Sequence, residues 1–382
     1  MKCKLSDICV FRKGKVDVSK LTLKTYISTE NMLPNKGGVT EASSLPTVQL
    51  TQEYKKGDIL VSNIRPYFKK IWQAKCDGGC SNDVLVFQGN SNIDGDFLYY
   101  ILANDDFFAY SMATSKGTKM PRGDKTSIMQ YEVPLIDLQV QKKIASVLKV
   151  LDEKIELNNE INNNLEQQAE ALFHSLFVKN ANPTWNDGVL SDLGTVVAGG
   201  TPSKTKPEYY SGHGIAWITP KDLSLNKSKF VSHGEIDISE LGFSKSSATK
   251  MPIGTVLFSS RAPIGYIAIA ANEVTTNQGF KSVVPNENVG TAFMYYLLKF
   301  SLPTIEGMAS GSTFKEISSA GMKSVPVVIP DNETIEEFNA FCTPIFQQQE
   351  ALEAENSRLT DIRDALLPKL ISGELDVSDI DL

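Results

Sequence analysis

The chain has 382 residues, 41% of them apolar, which is enough for two or three domains with a core in each, and a formal net charge of −7. No apolar run approaches the ~18 residues of a membrane span, and Met1-Lys-Cys-Lys-Leu-Ser-Asp7 lacks the apolar core of a signal peptide, so a cytoplasmic protein without membrane contact is expected. The acidic balance argues against a general polyanion binder, yet residues 1–134 carry 18 basic and 14 acidic side chains, whereas 335–382 carry 3 and 11.

Residues 1–134 read as a mixed module. Short apolar or alternating runs at 59–64 and 84–87, bounded by Gly, Pro and Asn, predict strands, and 97–103 predicts a helix. Strands grouped in this way, rather than alternating strictly with helices, favour an α+β fold. Two loops stand out. Residues 65–70 interleave aromatics with charge, making Arg65, Tyr67, Lys69 and Lys70 candidates for nucleic-acid contact. Residues 116–125 are small and basic, and could bring Lys116, Thr118, Lys119 and Arg122 to phosphates with backbone close by.

A helix is predicted within 135–180. From Gln139 to Phe177 there is neither Pro nor Gly, and Ile144, Leu148, Leu151, Ile155, Leu165, Leu172 and Leu176 step by threes and fours through Asn158, Asn162 and Ala169. Such a helix is roughly 60 Å long, too long to stand without a partner. A polar linker at 179–188 leads into a second module over 181–332, with strands at 255–259 and 266–270 and a helix at 291–300. Its candidate contacts are Thr201, Ser203 and Lys204 in one polar loop, Lys221 in another, Arg261, Asn277 with Gln278, and Ser310, Ser312 and Lys315. Asn and Gln are the side chains that pair with adenine in the major groove, and Arg the one that grips guanine. Singly, each such loop is equally a solvated turn or a strand-end cap.

The partner helix is predicted over 333–372, where Ile335, Phe338, Cys342, Ile345, Gln349, Leu352, Asn356, Leu359 and Leu366 repeat the stepping, with interruptions at Pro344 and Pro368. An antiparallel coiled-coil seam is expected, with Leu148, Leu151, Ile155, Asn158, Asn162 and Leu165 against Ile345, Gln349, Leu352, Asn356 and Leu359. Its amides would fix register at some cost in stability. Residues 373–382 form an acidic tail.

The two halves repeat in order. Leu5-Ser-Asp7 returns as Leu190-Ser-Asp192, Gly57-Asp-Ile-Leu60 as Gly254-Thr-Val-Leu257, and Phe97-Leu-Tyr-Tyr-Ile-Leu102 as Phe293-Met-Tyr-Tyr-Leu-Leu298. Arg65-Pro66 answers Arg261-Ala-Pro263, and Ser115-Lys-Gly-Thr118 answers Ser310-Gly-Ser312. A module followed by a helix, present twice, predicts pseudo-twofold symmetry with the modules at opposite ends. The recurrence strengthens the binding reading of the loops.

Catalytic signals are weak by comparison. The phosphate loop G-x-x-x-x-G-K-[ST] is absent, and Asn182-Pro-Thr-Trp185 lacks the second proline of the N-P-P-Y of adenine methyltransferases. His174, His213 and His233 have no ligand spacing, and the cysteines at 3, 9, 76, 80 and 342 form no paired motif, so no metal is expected. Two alternatives stand beside DNA reading. One is a self-sufficient DNA-cleaving enzyme, the other a coiled-coil scaffold that binds only proteins.

Across nearly its whole length the chain resembles the specificity subunit of type I restriction-modification enzymes. The resemblance rests on Gln141-Lys-Lys-Ile-Ala-Ser-Val-Leu148, Ala171-Leu-Phe-His-Ser-Leu-Phe177 and Leu366-Leu-Pro-Lys-Leu-Ile-Ser-Gly-Glu-Leu375 in the helices. In the modules it rests on Ser259-Ser-Arg-Ala-Pro-Ile-Gly265, Thr276-Asn-Gln-Gly-Phe280 and Ile64-Arg-Pro-Tyr67. It implies two target-recognition domains on a spacer-helix pair, a non-catalytic role in host defence, and a bipartite double-stranded DNA site read one half per domain. It also implies two methyltransferase subunits and restriction subunits as partners. No cofactor is implied on this chain; S-adenosylmethionine, ATP and Mg are expected on the partners. If the helices act as a ruler, four residues inserted near Asn162, about 6 Å of helix, should lengthen the tolerated spacer by one or two base pairs. Selection of bound sites would check this, and an unchanged spacing would contradict it.

Overall fold

A computed structural model describes residues 2–311 and 315–377. The chain divides into two compact units, Met1–Ile155 with Arg358–Leu382, and Glu156–Ser357. A central helix, Leu138–His174, and a terminal helix, Asn332–Ser372, each contribute residues to both.

In the first unit, Lys2–Lys4 pairs antiparallel with Glu132–Pro134, so the module's first strand lies beside the strand that feeds the central helix. One helical turn, Leu5–Ile8, then plugs Leu5 and Ile8 into the core. The main sheet is antiparallel in the order Cys9–Phe11, Val84–Gly89, Ile59–Ser62, Ile71–Gln73. Alternation sends Ile59, Val61, Leu85 and Phe87 to one face and Leu60, Val84 and Val86 to the other. The first face packs on helix Gly95–Ala103, whose Asp94 side chain caps the amides of Asp96 and Phe97. The second face meets Tyr54, Ile27 and Cys80 of a smaller sheet. Leu367, Leu370 and Val377 are buried in the same core as Leu5, Phe97, Ile144 and Leu148. Asp152 accepts hydrogen bonds from Tyr100 Oη (2.8 Å) and Arg363 Nη1 (2.7 Å), fixing both helices to the module.

The second unit repeats this plan. Asn186–Val189 pairs with Pro326–Ile329, the turn Leu190–Leu193 follows, and a five-stranded sheet runs Gly194–Ala198, Lys281–Pro285, Val256–Ser260, Ile264–Ala270, Phe230–Val231. Helix Thr291–Phe300 takes the place of Gly95–Ala103. Phe173 of the central helix is the aromatic hub, its ring 5.1 to 6.1 Å from those of Phe177, Phe293, Tyr296, Phe300 and Phe338. The two helices run antiparallel here. Asn158 Nδ2 donates to Asn356 Oδ1 (2.9 Å) and Glu355 Oε2 (2.8 Å), while Gln349 Nε2 donates to the carbonyl of Asn162 (3.2 Å). Asn158 and Gln349 are buried, and Asn162, Leu165, Leu352 and Asn356 are half-buried, as a two-stranded seam requires.

Beside the seam lies an ion cluster. Glu166 accepts from Lys229 Nζ, Tyr296 Oη (2.8 Å) and Lys299 Nζ (2.9 Å), and Lys229 Nζ also donates to Gln349 Oε1 (2.7 Å). Glu353 accepts from the amides of Lys229 (2.9 Å) and Phe230 (3.1 Å). Burial pushes the Glu166 carboxyl up, but the two ammoniums outweigh it and hold it at about 2.

The terminal helix does not break at either proline. It runs through Pro344 and Pro368, correcting the expected interruptions. A missing N–H and a crowded carbonyl cost about 3 kcal/mol at such a site. Ile345 and Phe346, packed in the core of the second unit, and Leu367 and Leu370, packed in that of the first, offset that cost.

Candidate nucleic-acid interface

In the first unit the strand Ile59–Ser62 runs out into residues 63–70, which fold onto residues 115–124. The amide of Arg65 donates to Pro121 O (2.8 Å), that of Gly123 to Asn63 O (3.1 Å), and Arg122 bridges to both Ile64 and Lys116. The two candidate loops are therefore side by side. Arg65 and Lys69 take left-handed backbone conformations (φ 52° and 49°) around the turn Pro66–Phe68, an arrangement that costs non-glycine residues about 1 to 2 kcal/mol each. It holds Tyr67 and Phe68 out in solvent, their rings 4.7 Å apart.

The basic residues of these loops differ in what they touch. Lys69 pairs with Asp105 (2.7 Å), and Lys70 donates to Thr29 O (2.6 Å), its charge disfavoured by burial. Both are turned onto the protein. Lys116 pairs with Asp124 (2.6 Å) and helps hold that carboxyl at about 2, so Asp124 remains anionic. Arg122 lies 3.2 Å from Asp83. Thr118 and Lys119 are exposed, and Arg65 keeps a buried Nε without a hydrogen-bond partner.

In the second unit three loops converge. The amide of Asn277 donates to Ile218 O (3.0 Å), that of Gly200 to Thr276 O (2.8 Å), and that of Gln278 to Thr201 Oγ1 (3.5 Å). Gly199 is required there, since a Cβ would meet Asn277 O at 1.9 Å. Asn277 Oδ1 is held by the amide of Gly279 (2.8 Å). Ser203 Oγ lies 2.9 Å from Thr205 Oγ1, Lys204 is exposed, and Lys221 pairs with Glu235. Pro220, next to Lys221, sits against Gly279. The amide of Ser260 donates to Gly279 O (2.7 Å), which brings Arg261 alongside. Glu316 bridges to both Arg261 and Ser310, and its carboxylate is 3.3 Å from Arg261 Nη1 and 3.6 Å from Lys281 Nζ. Lys315 is exposed, and Ser312 lies outside the described residues.

The structure also revises one repeat pairing. Ile64 bridges to Arg122 as Arg261 bridges to Glu316, so Arg65 corresponds to Ala262; both precede a proline with φ 52°. Glu316, Lys281 and Asp83 were missed because carboxylates and a buried lysine are not what a search for phosphate and base contacts selects. The aligned positions of Arg122 and Glu316 were the available signal. Among the described residues no three His, Cys, Asp or Glu side chains group to hold a metal, and no helix is long and apolar enough to cross a membrane.

The family described as type I restriction modification DNA specificity domain matches residues 1–167 and again 182–358, a double match that coincides with the two-module plan. The chain belongs to this family. A relative of this specificity subunit over nearly full length is the type I restriction enzyme HindI specificity subunit of Haemophilus influenzae, 26% identical and covering 97% of this chain and 98% of the relative. The MjaIX specificity subunit of Methanocaldococcus jannaschii is 40% identical over 39% of this chain and 35% of its own. The crystal structure of the S subunit from M. genitalium, 19% identical, covers 99% of this chain and 96% of that one with a TM-score of 0.58, a likeness of fold. The specificity subunit thus has two target-recognition domains and is a recognition subunit rather than a catalytic one. Neither a self-sufficient nuclease nor a protein-only scaffold finds support in these similarities.

Proposed function

We propose that each recognition domain reads one half-site of a bipartite duplex through the loop cluster described above, and that the helix pair is the platform for two methyltransferase subunits and, through them, restriction subunits. S-adenosylmethionine, ATP and Mg would then belong to those partners, and the assembly would work in the cytoplasm. The observation that carries this reading is the convergence, in both units, of separate loops at the ends of the main-sheet strands, bearing cationic and aromatic side chains in the first unit and cationic and amide side chains in the second. Phosphate contacts set affinity and register, base-edge contacts set sequence. With a net charge of −7, tight binding is expected only once the methyltransferases join in holding the duplex.

Lys119 tests the phosphate side of this division. It is exposed, in a loop that also carries Lys116 and Arg122. Lys119→Gln should weaken binding of the assembled complex to all duplexes alike and lower the slope of log affinity against log salt by about one. Fluorescence anisotropy across a salt series would measure it. An unchanged slope would remove Lys119 from the interface, and a change confined to one sequence would make it a base contact.

A further inference from the structure

Each unit places an arginine against a carboxylate at the corresponding end of its main-sheet strands, with the polarity exchanged. In the second unit the acid is Glu316, at the backbone position held by Arg122 in the first. Its carboxylate lies between Arg261 Nη1 (3.3 Å) and Lys281 Nζ (3.6 Å), and Lys281 is buried with Nζ also donating to Gln278 O (3.4 Å). One acid thus ties together the strand end at Arg261, the Asn277-Gln278 turn and the loop returning at Ser310. In the first unit the loop supplies the cation, Arg122, and the acid is Asp83, whose backbone carbonyl accepts from the Asn63 amide (2.8 Å).

We propose that Arg261 and Arg122 are guanine-reading residues of the two half-sites, and that Glu316 and Asp83 are positioning residues that fix each guanidinium for that contact. A guanidinium carries five donors in a planar fork, so a carboxylate on one edge fixes the plane while the other edge can meet guanine O6 and N7 together. A bare arginine would have to order itself on binding and would discriminate less. Both pairs are partly exposed, with Arg261 and Glu316 side chains 37% and 36% accessible, so a duplex can reach them. Lys281 keeps the Glu316 carboxylate compensated on its inner side.

This inference rests on the DNA-recognition reading, and the test separates the two. The chain, assembled with its methyltransferase, is given duplexes carrying each of the four base pairs at every half-site position, and the ratio of methylation rates is measured. Glu316→Gln and Arg261→Ala should relax the same G·C position of one half-site, each lowering the preference about 10-fold or more, with the other half-site unaltered. Asp83→Asn and Arg122→Ala should do the same in the other half-site. Unchanged ratios in Glu316→Gln, or an equal loss of rate on all four base pairs, would overturn the positioning role. Absence of any bipartite preference in the wild-type assembly would overturn the DNA-recognition reading itself, and this inference with it.

Discussion

Glu166→Ala is expected to destabilise the second unit by about 3 to 5 kcal/mol, because it removes the main carboxylate compensating a buried lysine. Lys229 would keep Gln349 Oε1 and the ring faces of Tyr295 and Phe346 (4.9 and 4.4 Å) as neighbours, but would lose its direct anionic partner. Denaturant unfolding followed by the fluorescence of Trp185 and Trp217, both in that unit, would report the change. The double variant Glu166→Leu with Lys229→Met should cost less than the single one, since it removes both buried charges together. A loss below about 1 kcal/mol in the single variant would show that solvent already compensates Lys229.

The pH dependence has a definite sign. The folded Glu166 carboxyl, at about 2, lies below its ordinary value of 4.5, so its contribution is complete above the ordinary value and is lost as pH falls towards the folded one. Burial raises Glu353, which acts oppositely, its folded state binding the proton more tightly than the unfolded chain. The difference in stability between wild type and Glu166→Gln should therefore shrink on acidification from about pH 4.5 to about 2. A difference constant across that window would contradict the assignment.

Ending the chain after Ser357 should unfold the first recognition domain, although that domain lies wholly within the first part of the sequence. The deletion removes Leu367, Leu370 and Val377 from the core shared with Leu5, Phe97 and Leu148, and strips Arg363 from Asp152. Each buried leucine lost costs about 2 to 5 kcal/mol, so the sum reaches a large part of a typical domain's stability. Hydrogen exchange should show lost protection in the sheet strands Ile59–Ser62 and Val84–Gly89, with Val256–Ser260 still protected. Full protection of both sheets would mean that the terminal helix merely rests on the first domain.

Much of this was legible in the chain. The stepping of Leu148, Asn158 and Gln349 marked long helices because apolar and amide positions at threes and fours have no other common explanation, and the repeat of Phe97–Leu102 as Phe293–Leu298 marked two copies of one module. The Lys229 cluster was not legible, since its partners Glu166, Tyr296 and Gln349 lie 63, 67 and 120 residues away and no local pattern pairs them. Pro344 and Pro368 were read by their local cost, which packing overrides. In the candidate interface, residue type alone identified Lys69 and Lys70 but could not tell that both are engaged by the protein, because Asp105 and Thr29 O come from distant segments.

The most direct test of the central claim is to map methylated bases across a host genome by long-read sequencing, with this chain expressed alone, with its methyltransferase, and with neither. A new bipartite methylated-adenine motif, two short half-sites separated by unspecified bases, is expected only when both proteins are present. Modification or cleavage by this chain alone, or no motif from a soluble and demonstrably associated pair, would contradict it.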